Sequence, residues 1–490
     1  MTELTEKDVG QQPHLSQDDE EHLIDFDGPK DGLHPHNWPF KRKLLIGVAV
    51  SFFTLTAAFG SSIFSPAIIP VAKQFEVSTT VSTLGVSLYV LGFATGPILW
   101  APWSEISGRQ QPLLAASLAF SVFNLGVGVV KNLPMVLICR FWAGFFGACP
   151  LAVGGAVMTD MFDHRTRGAA VTVFSIAVFS GPMFAPSIGG FIVMSSLGWA
   201  WTSYLVAIMG LVSFLLLLVT FQETYAPSIL VHKAKSLRQL TKNWSLHAKQ
   251  EELDTAPQEL LEKNFTRPLR MLFTEPIVFL VSLYMAFIYG LLYLFLTAYP
   301  IVFQQIHGMN PGVGGIPFLG IIFGEVLAGT LILLNQPRYL KKLIANHGIP
   351  VPEWRLPETI AGGIIFACGL FVFGWTGYKR SIHWIAPSIS GVFSGFGILS
   401  IFLQSLNYLV DVYLMYAASA MAASTILRSL FAAAFPLFAP YLFRDLGVQW
   451  ASTLLGCVAA LLIPVPVWFF LCGPTIRKRS AFTPQIPSSS

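Results

Sequence analysis

Gly96-Pro-Ile-Leu-Trp-Ala-Pro-Trp-Ser-Glu-Ile-Ser-Gly-Arg-Gln110 (GPILWAPWSEISGRQ) begins apolar, gathers Glu105, Ser107, Gly108 and Arg109 into a short knot, and gives way to apolar sequence again at Pro112. A water-facing helix spreads its charges along one face at a 3.6-residue period. Charges pinched between two apolar blocks instead mark a turn between two membrane-crossing helices. A crossing helix needs about 20 apolar residues, and on either side of the knot the chain supplies them, at 81–103 and 112–130.

Counted over the whole chain, such segments number twelve: 44–70, 81–103, 112–130, 134–159, 168–193, 200–221, 275–303, 313–335, 358–376, 382–405, 411–441 and 451–473. The composition agrees, because 54% hydrophobic and 11% charged residues is far from the roughly 25% charged of an ordinary soluble chain. The fold class expected is therefore all-α integral membrane, with twelve transmembrane helices in two six-helix bundles. The predicted divisions are a tail at 1–43, a bundle at 44–221, a loop at 222–273 with eight Lys/Arg, a second bundle at 274–473 and a tail at 474–490.

Basic residues flank the cytosolic ends of spans. With both termini in the cytosol, cytosolic segments hold 23 of the 30 Lys/Arg, among them Arg109, Arg165 and Arg167. The opposite side holds five (Lys73, Lys131, Lys379, Arg380 and Arg444), and Arg140 and Arg428 lie inside spans. The sequons at Asn243 and Asn264 then face the cytosol and should carry no sugar. The first forty residues are polar, with an acidic run at 18–21 and no early apolar core, so the first span is expected to be an uncleaved anchor.

A net charge of +4, placed largely by topology, implies no nucleic-acid partner. The five cysteines, Cys139, Cys149, Cys368, Cys457 and Cys472, lack metal-ligand spacing and read as small core residues. No Ser/His/Asp, HExxH or GxxxxGK[ST] pattern is recognisable, which argues against an enzyme and against nucleotide-driven pumping. Two six-helix halves joined by a long loop match a transporter with its substrate site between repeats.

The residues expected to carry transport are the charges and motifs within this frame. Glu105 and Arg109, four apart, can pair across a helical turn beside Gly108 and hold an inner gate, or form an ordinary charged turn. Arg140, in Arg140-Phe-Trp-Ala-Gly144, is a charge inside the fourth span and a functional candidate by default, unless it snorkels to the outer interface. Gly181-Pro182-Met-Phe-Ala-Pro186-Ser-Ile-Gly189-Gly190 bends the fifth span and allows it close packing. Glu325, inside the eighth span, must be paired, hydrated or protonated. It can exchange a proton, attract a cation, or serve Arg428 of the eleventh span as a structural partner. Tyr289 and Tyr293 share a face of the seventh span and can grip flat apolar or cationic cargo. Asp160 and Asp411 read as rim residues.

The ordered set of motifs resembles the major facilitator superfamily, in its fungal drug:proton antiporter branch. Ala101-Pro-Trp-Ser-Glu105-Ile-Ser-Gly108-Arg109 is similar to that superfamily's GxLaDrxGrk motif, with Ala101 for Gly and Glu105 for Asp. The 181–190 stretch is similar to the antiporter motif, with Ala185 for Gly. Phe64-Ser-Pro-Ala-Ile-Ile-Pro70, Gln222-Glu-Thr-Tyr-Ala-Pro227 and the stretch from Tyr408 to Phe438, expected to cover the eleventh span, add to the resemblance. It implies a proton-coupled exporter working by alternating access, with Arg140 linked to proton coupling; Glu325 and Arg428, charges deep within spans, are the further coupling candidates, with a structural role for Arg428 as the alternative. No cofactor is implied beyond the proton gradient. The protein is expected to be a monomer of the plasma membrane, or of the vacuolar membrane.

The cargo implied is a small amphipathic organic molecule: a drug, a fungicide or a secondary metabolite. Polyamines would call for several membrane carboxylates, and Glu325 is the one convincing case. A sugar-type symporter is the rival reading, although QETYAP stands where sugar carriers have PESPR. A non-transporting sensor is a further alternative; it would usually carry a tail longer than the 17 residues here.

Overall fold

The computed structural model describes residues 22–163, 166–252, 265–478, 480 and 482. The acidic run at 18–21, Arg165 and the Asn264 sequon lie outside these residues.

Six membrane helices form the first half: α1 Phe40–Ser62, α2 Thr79–Ile106, α3 Gln110–Val129, α4 Leu133–Met161, α5 Arg167–Met194 and α6 Ala200–Thr220. An amphipathic helix, Ala226–Thr241, and a short one, Arg267–Thr274, follow in the connecting loop. The second half opens with α7 Pro276–Tyr299, extended by a π-helical turn at Pro300–Ile306, then α8 Phe318–Ala345, α9 Leu356–Gly377 and α10 Ile385–Tyr413. The helical run Ala417–Leu462 is broken at Gly447, whose φ of 74° suits glycine. That break separates α11 (417–446) from α12, which runs from 448 through Pro464–Arg477.

Several boundaries differ from expectation for identifiable reasons. Between Gly397 and Tyr413 no glycine or proline interrupts the chain, so α10 continues to Tyr413 and carries Tyr408 and Asp411, expected at the eleventh span. It stops where Leu414 takes a φ of 33°. Helix α8 runs about ten residues past the expected 335, because its polar extension, with Arg338, Lys341 and Lys342, stays helical past Pro337.

The halves repeat one packing scheme. α1 packs on α5, α2 on α4, and α3 on α4 and α6, while α7 packs on α11, α8 on α10, and α9 on α10 and α12. Across the halves, α2 meets α11 and α5 meets α8. One buried apolar cluster belongs to the first half, and another centres on α7 and α10 and reaches across to Phe64, Phe179 and Met183. The sequence of α7 is apolar on every side, and 83% of its most apolar window is buried, as befits a helix enclosed all round. The 22–38 segment and the tip of α12 lie at the same end of the bundle, here the termini end; the other is the far end.

Candidate functional site

Helix α5 is the seam between the halves. Gly181 lets it lie against the backbone of α1 at Leu55 and Phe59, Gly189 lies against the Ile63 carbonyl, and Gly190 fits under Pro311, before α8. Pro182 and Pro186 sit inside the helix and are buried. Two residues before the first of them, Ser180 donates its hydroxyl to Glu325 Oε2 across the seam at 3.2 Å. Glu325 is fully buried, and its Oε1 has no hydrogen-bond partner. The ion pair with Arg428 considered from the sequence is not formed; Ser180 is the recorded partner.

Tyr289 and Tyr293 do meet, with ring centroids 5.3 Å apart, because four residues along a helix bring side chains onto one face. Around them stand Phe179 of α5, 6.2 Å from Tyr289, and Phe402 of α10, 4.6 Å from Phe179. Arg428 lies 4.8 Å from the Phe402 ring and 5.3 Å from Tyr289, positioned for cation–π attraction. Tyr293 donates to Ser61 Oγ of α1 at 2.8 Å and so ties the halves together at the centre. The arrangement is an aromatic cage with one guanidinium at its edge and, bonded to Ser180 one residue along α5 from Phe179, the buried carboxyl of Glu325 on α8.

Arg140 does not snorkel. It is fully buried and donates to the carbonyls of Gly85 at 2.8 Å and Gly60 at 3.0 Å, with the Ser61 carbonyl at 3.5 Å. The reason lies in α1. Pro66 has no N–H to continue the helix, so α1 ends at Ser62 with its last carbonyls open. The Arg140 fork, stacked between Phe64 and Tyr89, covers that negative helix end.

At the termini end, the opening stretch forms the α2–α3 turn. Glu105 and Arg109 do not share a helical turn, because α2 stops at Ile106 and Gly108 takes a φ of 88°. Arg109 instead pairs with Asp160 at the end of α4 at 3.1 Å and donates to Ser104 at 2.7 Å. Glu223, just after α6, accepts the backbone N–H groups of Arg109 and Gln110 at 2.9 and 3.1 Å, seating a carboxylate on the N-terminus of α3. Sequence reasoning quoted Glu223 without giving it a role; an acid directly after a span is the signal it offered. Asp411 is held likewise, by Arg355 at 3.2 Å.

Among the described residues no cluster of His, Cys, Asp and Glu is arranged to hold a metal. All five cysteines are free, but only Cys139 and Cys149 are buried. Cys368, Cys457 and Cys472 lie on the outside, where an apolar bundle face has no need of a core.

The cross-half hydrogen bonds described lie at mid-height or toward the far end: Ser180 to Glu325, Tyr293 to Ser61, Ser65 to the Leu296 carbonyl, and Thr80 with Tyr441. Two repeats joined across a polar and aromatic centre have the layout of a membrane transporter with repeated halves. Residues 50–436 match the family model described as Major Facilitator Superfamily, and the chain belongs to that family. It is 45% identical over 463 residues to the major facilitator superfamily multidrug transporter FLU1 of Candida albicans, covering 94% of this chain and 76% of that protein. It is 42% identical to the ascochitine biosynthesis cluster MFS transporter of Didymella fabae, over 95% of this chain and 90% of that one. The solved structure of the proton:xylose symporter XylE shares the fold, with a TM-score of 0.61 at 16% identity, over 89% of this chain and 96% of its own.

Proposed function

We propose that this transporter exports small amphipathic organic molecules, such as drugs, fungicides or secondary metabolites, in exchange for protons. The observation that carries the reading is Glu325, a buried carboxyl at the seam between halves with one oxygen unpartnered. A group so placed is stable when protonated or when matched by a cation, so its state is tied to which way the halves face. The aromatic cage beside it offers flat apolar cargo a place to stack. Multidrug and biosynthetic-cluster transporters among its relatives support the same cargo class.

In this reading the termini face the cytosol of a plasma-membrane monomer, and the loop at 222–273 links the two bundles. The proton gradient is the sole energy source, and there is no cofactor and no catalysis. Arg140 shapes the broken α1, and Arg428 orients cargo in the cage.

The test is retention of fluorescent drugs and azoles in pump-deleted yeast expressing the chain, with and without a protonophore. Expression should lower retention, and the protonophore should restore it. Glu325→Gln, at matched surface expression, should abolish the dependence on external pH. Unchanged pH dependence in that variant would remove Glu325 from coupling.

A further inference from the structure

A second polar pocket, half open and with a cavity volume of about 30 Å³, enough for an ammonium group, lies toward the termini end of the second half; it is lined by Asn335, Gln336 and Tyr339 of α8, Trp354 and Arg355 of the α8–α9 turn, Glu358 of α9 and Gln404 of α10. Glu358 accepts from Asn335 Nδ2 at 2.9 Å and from Gln404 Nε2. A carboxylate offers about four lone-pair sites, so it retains acceptor capacity beyond these two bonds. Gln404 is 3% exposed, and having given its amide N–H to Glu358 it holds Oε1 buried with no hydrogen-bond partner. The pocket therefore presents acceptors on two sides, and among the described residues no cation lies within ion-pair distance of Glu358.

The positive charges nearby each have another partner, although Arg355 lines the pocket itself. Arg355 pairs with Asp411 and lies 3.7 Å over the Tyr339 ring. Arg338 donates to Asn335 Oδ1 at 3.2 Å, and the Lys342 ammonium sits 5.8 Å from the Trp354 ring. A ligand that brings N–H donors and a positive charge matches both free acceptor positions, against the aromatic walls of Tyr339 and Trp354.

Its position fits a route. Residues 325, 328, 332, 335 and 339 recur at helical spacing on one face of α8, so the pocket lies about 15 Å from Glu325 down that face. Gln336 of its lining packs on Gly168 at the start of α5, on the seam. Gln404 is two residues from Phe402 of the central cage.

We propose that this pocket is an entry site for the protonated primary amine of an amphipathic cargo, which binds at Glu358 and Gln404 before passing to the centre. The assignment of the pocket as an entry rests on the export reading above; binding of the amine does not.

The test is equilibrium binding to the purified full-length protein in lipid nanodiscs, without a gradient. The probes are radiolabelled tryptamine, with N,N,N-trimethyltryptammonium and indole-3-ethanol as competitors. These share one ring: the first has charge and donors, the second charge alone, the third neither charge nor ammonium donors. Tryptamine should bind about tenfold more tightly than the alcohol and several-fold more tightly than the trimethyl form. Glu358→Gln should erase the preference over the alcohol, Gln404→Leu should narrow the preference over the trimethyl form, and Glu358→Asp should retain part of the first.

Equal wild-type affinity for all three probes would overturn the proposal. So would an order of affinities that survives both substitutions, or one that Glu325→Gln abolishes while Glu358→Gln does not. Absence of export from cells would refute the export reading and leave this order of affinities standing.

Discussion

The two halves close their termini ends with the same first contact and different second ones. In the first half, Arg109 from the α2–α3 turn meets Asp160 at the end of α4; in the second, Arg355 before α9 meets Asp411 at the end of α10. The next layer differs. In the first half an acid outside the turn, Glu223, is held by backbone N–H groups of the turn, whereas in the second an acid within the turn, Glu353, is held by the Arg477 side chain at the end of α12. The repeated geometry thus demands one arginine–aspartate pair, while the bond to the sixth helix of each half can be made with either polarity. The first half's version depends on backbone shape and the second's on side-chain charge.

The most damaging change to either region should be loss of the shared pair. Arg109→Met and Arg355→Met should each cost about 3 kcal/mol, since each leaves a mostly buried aspartate without its guanidinium. Thermal melts of the purified protein should show similar losses for the two, additive in the double variant because the sites are far apart. A loss confined to one half would break the comparison at its root.

Smaller, and different between halves, should be the response to alanine at the turn glycines. Gly108→Ala combines a left-handed backbone with a collision against Glu223, and should cost about 2 kcal/mol or more. Gly348→Ala, in the α8–α9 turn at a φ of 81° but with open space around it, should cost about 1 kcal/mol. Equal melting temperatures for these two variants would mean that backbone fit to Glu223 is not what distinguishes the first clamp.

The smallest effect concerns a strap found on the first clamp. Gln250 donates to the carbonyls of Glu105 and Ile106, and nearby His247 pairs with the 22–24 segment through its backbone. The His247 ring is held above the usual histidine range, first by its bond to the Ser245 carbonyl and then by Glu252. A histidine with a raised folded value stabilises fully below its unfolded value of about 6.5 and loses that contribution as pH rises through the folded value. Hydrogen exchange at Ile24, corrected for the intrinsic rate, should show protection falling from pH 6 to pH 8, and His247→Gln should remove the trend.

What could be read without the fold was what rests on short separations and on bulk polarity. The knot at 105–109 was legible as a turn because charge has no place among lipid tails, and Tyr289 and Tyr293 were legible as neighbours because four residues make about one helical turn. The partnership of Glu105 with Arg109 misled, since a four-residue spacing has meaning only within a helix and Gly108 ends one. Arg140 could be seen as a buried charge, but not as the cover of carbonyls at the end of α1 and at Gly85 of α2. Ser180 and Glu325 are separated by 145 residues, and nothing local marks either for the other. Phe179 and Phe402 were hidden among a 13% aromatic content that mostly packs against lipid and core.

The far-end seal has a consequence for leakage. A gate made of side chains can part by a rotamer change and let a stray ion pass while the rest of the bundle stays still. Here Gly190 lies under the Pro311 carbonyl and Gly315 against the Ser187 backbone, so main chain meets main chain with little side chain between. On this α5–α8 side such a contact offers no partial yielding, whereas the α2–α11 side closes on the Thr80 and Tyr441 side chains. A membrane fitted with this closure is spared a permanent trickle, at the expense of any fast, small-amplitude opening.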